Sequence, residues 1–183
     1  MLTILCREEL DAVDLNWASA YIDEFGKPYF TLPAGREHYR LLAHLSMLYS
    51  HRLILDVGTF HGASAVALST NPLVKVLSYD IQNHRTRTIS RPNIEFRLRN
   101  VLDDPGCLAQ ASLILLDTFH DGGFERQFIR KLLEVGFRGT LLLDDIHLNE
   151  AMEAFWKELT LPKADLTRIG HWSGTGIAYF GLY

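Results

Sequence analysis

Four predominantly apolar runs, at 52–57, 74–79, 111–116 and 140–143, constrain this chain more than any other feature. A run with no alternating polar face suits a strand buried on both sides, which means a parallel sheet covered by helices. Each run ends at or beside a carboxylate: Asp56, Asp80, Asp117, and the pair Asp144 and Asp145. A half-polar run from Ile94 to Leu98 sits among them, and the linkers carry helical patterns, clearest at Phe124, Phe128, Leu132 and Leu133. Strands alternating with helices imply βαβ units, and the fold class is α/β, doubly wound, with a mostly parallel sheet.

The flanks add helices and a hairpin. Val13, Trp17, Ala18, Tyr21, Ile22 and Phe25 fall at helical spacing and predict an amphipathic helix over Leu10 to Phe25, stopped by Gly26 and Pro28. A second helix fits Glu37 to Tyr49, with Leu41, Leu42, Leu45 and Leu48 on one face. After Asp145, Asn149 is placed to cap a helix whose Met152, Phe155, Trp156 and Leu159 share a face, and Pro162 marks its end. Two strands follow, Asp165 to Gly170 and Ile177 to Leu182, joined too closely for a parallel crossover, so this closing pair is expected to be antiparallel.

At 183 residues and 48% hydrophobic content, one core is expected, a single domain over 1–183 with 1–50 as a helical lead-in. The formal charge of −4 offers no global attraction to nucleic acid or an anionic membrane. The arginines of His84 to Arg91, with Arg97 and Arg99, read as a solvated face, so no nucleic-acid partner is predicted. Cys6 and Cys107 form no disulfide framework, Met1 to Cys6 is too short for a signal-peptide core, and no run approaches a membrane span. The expectation is a soluble, cytoplasmic protein without a membrane partner.

In an open parallel sheet, ligands bind beyond the carboxyl ends of the strands, where the strand order reverses. The first strand leads there into Asp56-Val-Gly58-Thr59-Phe-His61-Gly62-Ala-Ser64. A dinucleotide fingerprint needs glycines where Asp56, Gly58 and His61 stand, and only Gly58 complies. A carboxylate at Asp56 repels a pyrophosphate but suits a cofactor carrying an ammonium and a sulfonium, which points to S-adenosylmethionine. Asp80 is placed to accept both hydroxyls of a ribose, and Asn100 with the Val101 amide to meet an adenine edge. His61 reads as a packing or cofactor-edge residue.

The segment Asp56 to Gly62 resembles the glycine-rich first motif of the class I S-adenosylmethionine-dependent methyltransferases, and Tyr79-Asp80 resembles their ribose-binding second motif. The order of elements over about 37–183 is similar as well. The resemblance implies a Rossmann-like sheet of seven strands with the antiparallel hairpin at its C-terminal end. It also implies a cofactor-binding set of Asp56, Gly58, Thr59, Gly62, Ser64, Asp80, Ile81, Asn100, Val101 and Asp117. Asn100 stands where that family more often has aspartate.

Asp117, Asp144 and Asp145 close neighbouring strands, and unpaired carboxylates that meet repel one another unless a cation joins them. A hard dication with oxygen ligands is the common remedy, and Mg²⁺ is the natural candidate. Asp117-x-x-His120 resembles the metal-dependent O-methyltransferases, most of all the sugar-modifying, macrocin-type branch. That resemblance implies Asp117, Asp144 and Asp145 as metal ligands and His120 as the base that takes a proton from a substrate hydroxyl; His147 is the alternative base or substrate contact. The activity implied is Mg²⁺-assisted O-methylation of a small-molecule acceptor. Three other readings stand beside it: a metal-independent methyltransferase, a methyltransferase-like fold serving only as a binding module, and a zinc or iron hydrolase built on the Asp/His cluster. The last leaves the cofactor turn unexplained. Tyr29, Phe30, Arg36 and the loop His171 to Gly176, with Trp172, are the expected acceptor contacts, and the site is expected to be open or completed by a second subunit in a homo-oligomer.

Overall fold

The computed structural model of the chain describes residues 6–181. Its strands are β1 (Leu53–Val57), β2 (Lys75–Asp80), β3 (Ile94–Leu98), β4 (Leu113–Leu116), β5 (Thr140–Asp144), β6 (Lys163–Asp165) and β7 (Thr175–Tyr179). They form one seven-stranded sheet in the order β3-β2-β1-β4-β5-β7-β6. The first five run parallel to one another, whereas β7 runs antiparallel to both β5 and β6. The order reverses between β1 and β4, so the crevice of a doubly wound sheet opens at the carboxyl ends of those two strands.

Period-two alternation sends successive side chains to opposite faces, and both faces are covered. Ile54, Val76, Leu113, Leu115 and Leu142 pack on one side with α2 (Tyr39–Met47), α3 (Ala63–Leu68) and the N-terminal segment. Leu55, Leu77, Ile114, Leu116 and Leu143 pack on the other, against α4 (Pro105–Gln110), α5 (Gly123–Glu134) and α6 (Glu150–Glu158). Double coverage is why the runs are largely apolar on both faces. The half-polar β3 lies at one edge and the three-residue β6 at the other.

The lead-in departs from expectation. In place of one helix over Leu10 to Phe25 there is α1 (Arg7–Asp11), a 3₁₀ turn at Asn16–Ala20 and another at Lys27–Thr31. The guanidinium of Arg40 donates to the carbonyls of Asp11 and Val13, and the Asp14 carboxylate accepts the Asn16 amide at 2.9 Å. Those contacts claim backbone and local bonding that a continuous helix would need. The second helix is shorter than Glu37 to Tyr49, and Leu48, like Leu133 on α5, is exposed and not on the buried face. The sixth strand ends at Asp165, earlier than predicted, because the Asp165 side chain accepts the Thr167 amide at 2.9 Å and turns the chain. The predicted end at Leu182 and most of Met1 to Cys6 lie outside the described residues. No helix among the described residues is long and apolar enough to cross a membrane.

Asn149 caps α6 as predicted: its carbonyl oxygen accepts the Met152 amide at 3.0 Å, while its amide group donates to the His120 carbonyl at 2.9 Å. Asn149→Ala is expected to lose about 1 kcal/mol of stability. Urea unfolding checks this as a lower midpoint with an unchanged slope.

Candidate functional site

Two cavities meet at the carboxyl ends of β1 and β4. The larger, about 680 Å³, lies between the N-terminal turns and the start of α3, and its walls include Phe25, Tyr29, Arg36, Glu37, His171 and Trp172. The smaller, about 420 Å³, lies over the ends of β2 and β4, walled by Tyr79, Asp80, Ile81, Asn100, Val101 and Phe124. Gly58, Phe60 and Asp117 line both.

The dividing wall depends on backbone contact. Gly58 has φ +104°, and a Cβ there would fall 1.6 Å from the Asp117 carbonyl oxygen. No side chain fits, so the turn after β1 and the turn after β4 press together directly. The amides of Gly58 and Thr59 both donate to the Tyr79 carbonyl, at 2.9 and 3.1 Å, which ties the same turn to β2. Asp80 adds a further tie, because one oxygen accepts the Phe60 amide and the other the Gln82 amide, each at 2.9 Å. A carboxylate has about four acceptor sites, so capacity for two hydroxyls remains. Asn100 accepts the Leu102 amide at 3.0 Å and caps a short 3₁₀ turn.

Beneath the larger cavity, carboxylates and imidazoles interleave. Asp144, at the end of β5, meets His38 through Oδ1 at 3.1 Å and His171 through Oδ2 at 3.3 Å. Asp145 lies 3.2 Å from His171 and 3.5 Å from His120, and also accepts the Ser173 hydroxyl. His120 Nε2 lies 3.4 Å from Asp117. His120 and Asp145 both hold positive φ, 54° and 58°, so both turns are strained to present their side chains. Burial would drive His38 down, but hydrogen-bonded Asp144, with Glu37 and Asp117, carries it up to about 9. In His171 burial is likewise outweighed, by Asp144, Asp145 and Glu37, and the ring is held up at about 11. Asp144 would rise on burial, yet the two imidazoles keep it well below the usual carboxylate range. Asp117, half-buried and facing Asp144, is pushed up by partial desolvation and by that neighbouring charge.

No family model matches the sequence, and no curated protein does. Solved structures do match. A methyltransferase from Geobacter sulfurreducens superposes with TM-score 0.65 over 92% of each chain at 12% identity. An O-methyltransferase from Bacillus cereus, solved in complex with SAH, gives 0.57 at 16% identity, covering 98% of this chain and 94% of its own. A methyltransferase from Podospora anserina, also SAH-bound, gives 0.55 at 12%, covering 78% and 77%. The chain has the class I methyltransferase fold.

Within the class I methyltransferase fold, the residues read from the sequence separate into groups. Gly58, Asp80, Ile81, Asn100, Val101 and Asp117 share the smaller cavity, and Thr59 and Ser64 face the larger one. Asp56 and Gly62 line neither. Asp56 is fully buried, opposite Ser78 in the β1–β2 register, and accepts that hydroxyl at 2.5 Å. Burial pushes its carboxyl up to about 7 against the bonds from Ser78 and Ser64. Asp56 thus lies behind the cavity walls, with Oδ1 buried and without a hydrogen-bond partner. Gly62 is needed for packing: it precedes α3 at φ +90°, and a Cβ would lie 2.6 Å from Ile89.

Asp117, Asp144, Asp145 and His120 do come together, but His120 lines neither cavity. His147 stands apart, bound to Asp165 at 2.8 Å. His61 pairs with Asp23 at 2.8 Å and stacks on Phe25. Of the expected acceptor contacts, Tyr29, Arg36, His171 and Trp172 line the larger cavity, whereas Phe30 is buried in the core. Sequence reasoning missed Glu37 and His38 as site residues, and gave His171 no part in the acidic cluster. The adjacent Glu37-His38 pair just before a helix was the available signal. Gly58→Ala is expected to cost at least about 2 kcal/mol, since a left-handed φ and a backbone clash coincide. A thermal melt checks it, and a wild-type midpoint would show that the two turns can separate.

Proposed function

We propose that this protein transfers a methyl group from S-adenosylmethionine to a hydroxyl oxygen of a small molecule, with a divalent cation held by the carboxylate cluster. The observation that carries this reading is the shared wall of Gly58, Phe60 and Asp117: one cavity suits the nucleoside end of the donor, the other suits an acceptor, and they meet beside acids. The SAH-bound relatives of the same fold support the donor.

Each group has a task in this reading. Asp80 accepts ribose hydroxyls, and Ile81 and Val101 flank the adenine with Asn100 at its edge. Phe25, Tyr29, Phe60 and Trp172 favour a planar or ring-bearing acceptor, because stacked rings are attractive at little entropic cost. Transfer itself needs mostly alignment of donor sulfur, methyl and acceptor oxygen. The carboxylates fit a cation because Asp117 is destabilised by Asp144 beside it. A cation bound there supplies positive charge that acidifies an acceptor hydroxyl.

Two imidazoles compete for the hydroxyl proton. His120 is the candidate from the sequence, and its Nε2 is buried without a hydrogen-bond partner. His171 lines the acceptor cavity and His120 does not, but a ring held up at about 11 already carries its proton, so His171 serves as a charged contact to the acceptor oxygen and His120 as the base. His120→Ala is therefore expected to lower kcat by about 10²–10⁴ and His171→Ala by less; the reverse order overturns this division of roles.

The donor is tested by calorimetry with S-adenosylhomocysteine. Wild-type protein is expected to bind it, and Asp80→Ala at least roughly tenfold more weakly, given the strength of hydrogen bonds to a charged acceptor. No binding at millimolar ligand removes the methyltransferase reading.

A further inference from the structure

His120 sits where its own side-chain bonds cannot hold it. Its backbone is left-handed at φ 54°, a region costly for a residue with a Cβ, and its ring nitrogens lie 3.4 Å from Asp117 and 3.5 Å from Asp145, longer than ordinary hydrogen bonds. Nε2 is buried with no hydrogen-bond partner. A strained residue persists only where its surroundings fix it, so whatever places this ring acts on the backbone.

Both backbone groups of His120 are claimed by side chains at the starts of two helices. Glu125 Oε1, in the first turn of α5, accepts the His120 amide at 3.2 Å, and the Asn149 amide group, at the start of α6, donates to the His120 carbonyl at 2.9 Å. The turn is also pressed onto α6: Gly122 has φ +71°, and a Cβ there would lie 2.8 Å from the Ala151 carbonyl oxygen.

Helix capping does not account for Glu125. In a capping box the glutamate at the third helical position returns to the amide of the capping residue, which here is Gly122. Glu125 passes that amide by and bonds His120. The first turn of α5 already has a cap, because Asp121 Oδ1 accepts the Gly123 and Phe124 amides at 2.7 and 2.9 Å. Glu125 is 1% exposed and its Oε2 is buried without a partner, a costly setting for a carboxyl group that served only to stabilise a helix end.

We infer that Glu125 and Asn149 are positioning residues for His120, gripping its turn by amide and carbonyl and so setting the imidazole between Asp117 and Asp145. Asn149 thereby has two tasks, with Oδ1 capping α6 and Nδ2 holding the turn. A general base works only within hydrogen-bond reach of the proton it takes, and a ring without bonds of its own depends on this grip. The inference rests on the reading of His120 as the base.

Crystal structures and histidine-ring NMR of single variants test it, with the His120 signal assigned by its loss in His120→Gln. Glu125→Ala is expected to carry the ring beyond the roughly 4 Å ion-pair range of Asp117 and Asp145 and to displace its Cε1–H signal. Glu125→Gln keeps an oxygen acceptor and is expected to leave both in place. Asn149→Ser keeps a capping oxygen for α6 but has no amide to donate, so it is expected to displace the ring as Glu125→Ala does, at close to wild-type stability. Asp121→Ala removes the α5 cap but neither bond to His120, and is expected to lower the melting midpoint with the ring signal unmoved. An unmoved ring in either Glu125→Ala or Asn149→Ser, or a displacement in Asp121→Ala equal to that in Glu125→Ala, would overturn the inference. S-adenosylhomocysteine binding by the wild type separates the two claims: no binding defeats the proposed function and leaves the ring placement as measured, whereas binding with an unmoved ring defeats this inference alone.

Discussion

Both oxygens of Asp144 are engaged by imidazoles from opposite ends of the chain, and much of the site depends on that fact. His38 comes from the segment before the first strand and His171 from the loop between the last two strands. Neither histidine belongs to the parallel core. Asp144 is buried at the end of a central strand, so its charge needs partners, and the partners available fasten the N-terminal turns and the closing hairpin over the crevice. The larger cavity exists because those two peripheral pieces are held there.

The parallel order explains why the chemistry collects on one side. Five strands point the same way and each ends in or before a polar turn, so Asp80, Asn100, Asp117 and Asp144 arrive at one rim although more than sixty residues separate the first from the last. The antiparallel β7 then brings His171 and Ser173 back to that rim from its amino end. A seventh strand running parallel to the others would start at the opposite rim.

Where the sequence was legible, periodicity and punctuation carried the information. Burial on both faces leaves continuous apolar runs, so five strands, the closing hairpin and the Asn149 cap could be read directly. The wall of the smaller cavity was legible for the same reason: Asp80, Asn100 and Val101 sit where strands stop. The lead-in was not, because Arg40 reaches back to carbonyls some 27 residues earlier and overrides a helical pattern by tertiary bonding. His38 was illegible for a related reason. Its place is set by a contact 106 residues distant, and no local spacing encodes that. The burial of Asp56 was not legible either, because the strand register that sets it opposite Ser78 is a pairing with another strand.

The absence of a side chain at Gly58 has a mechanical meaning. The backbone that cradles one cavity rests on the backbone of Asp117, with no flexible group between them to absorb displacement. The separation between the two cavities is thereby set by peptide geometry, which is stiff, and not by rotamers, which are soft. A ligand that shifts one turn must carry the other with it, so occupancy of either cavity is mechanically felt in its neighbour.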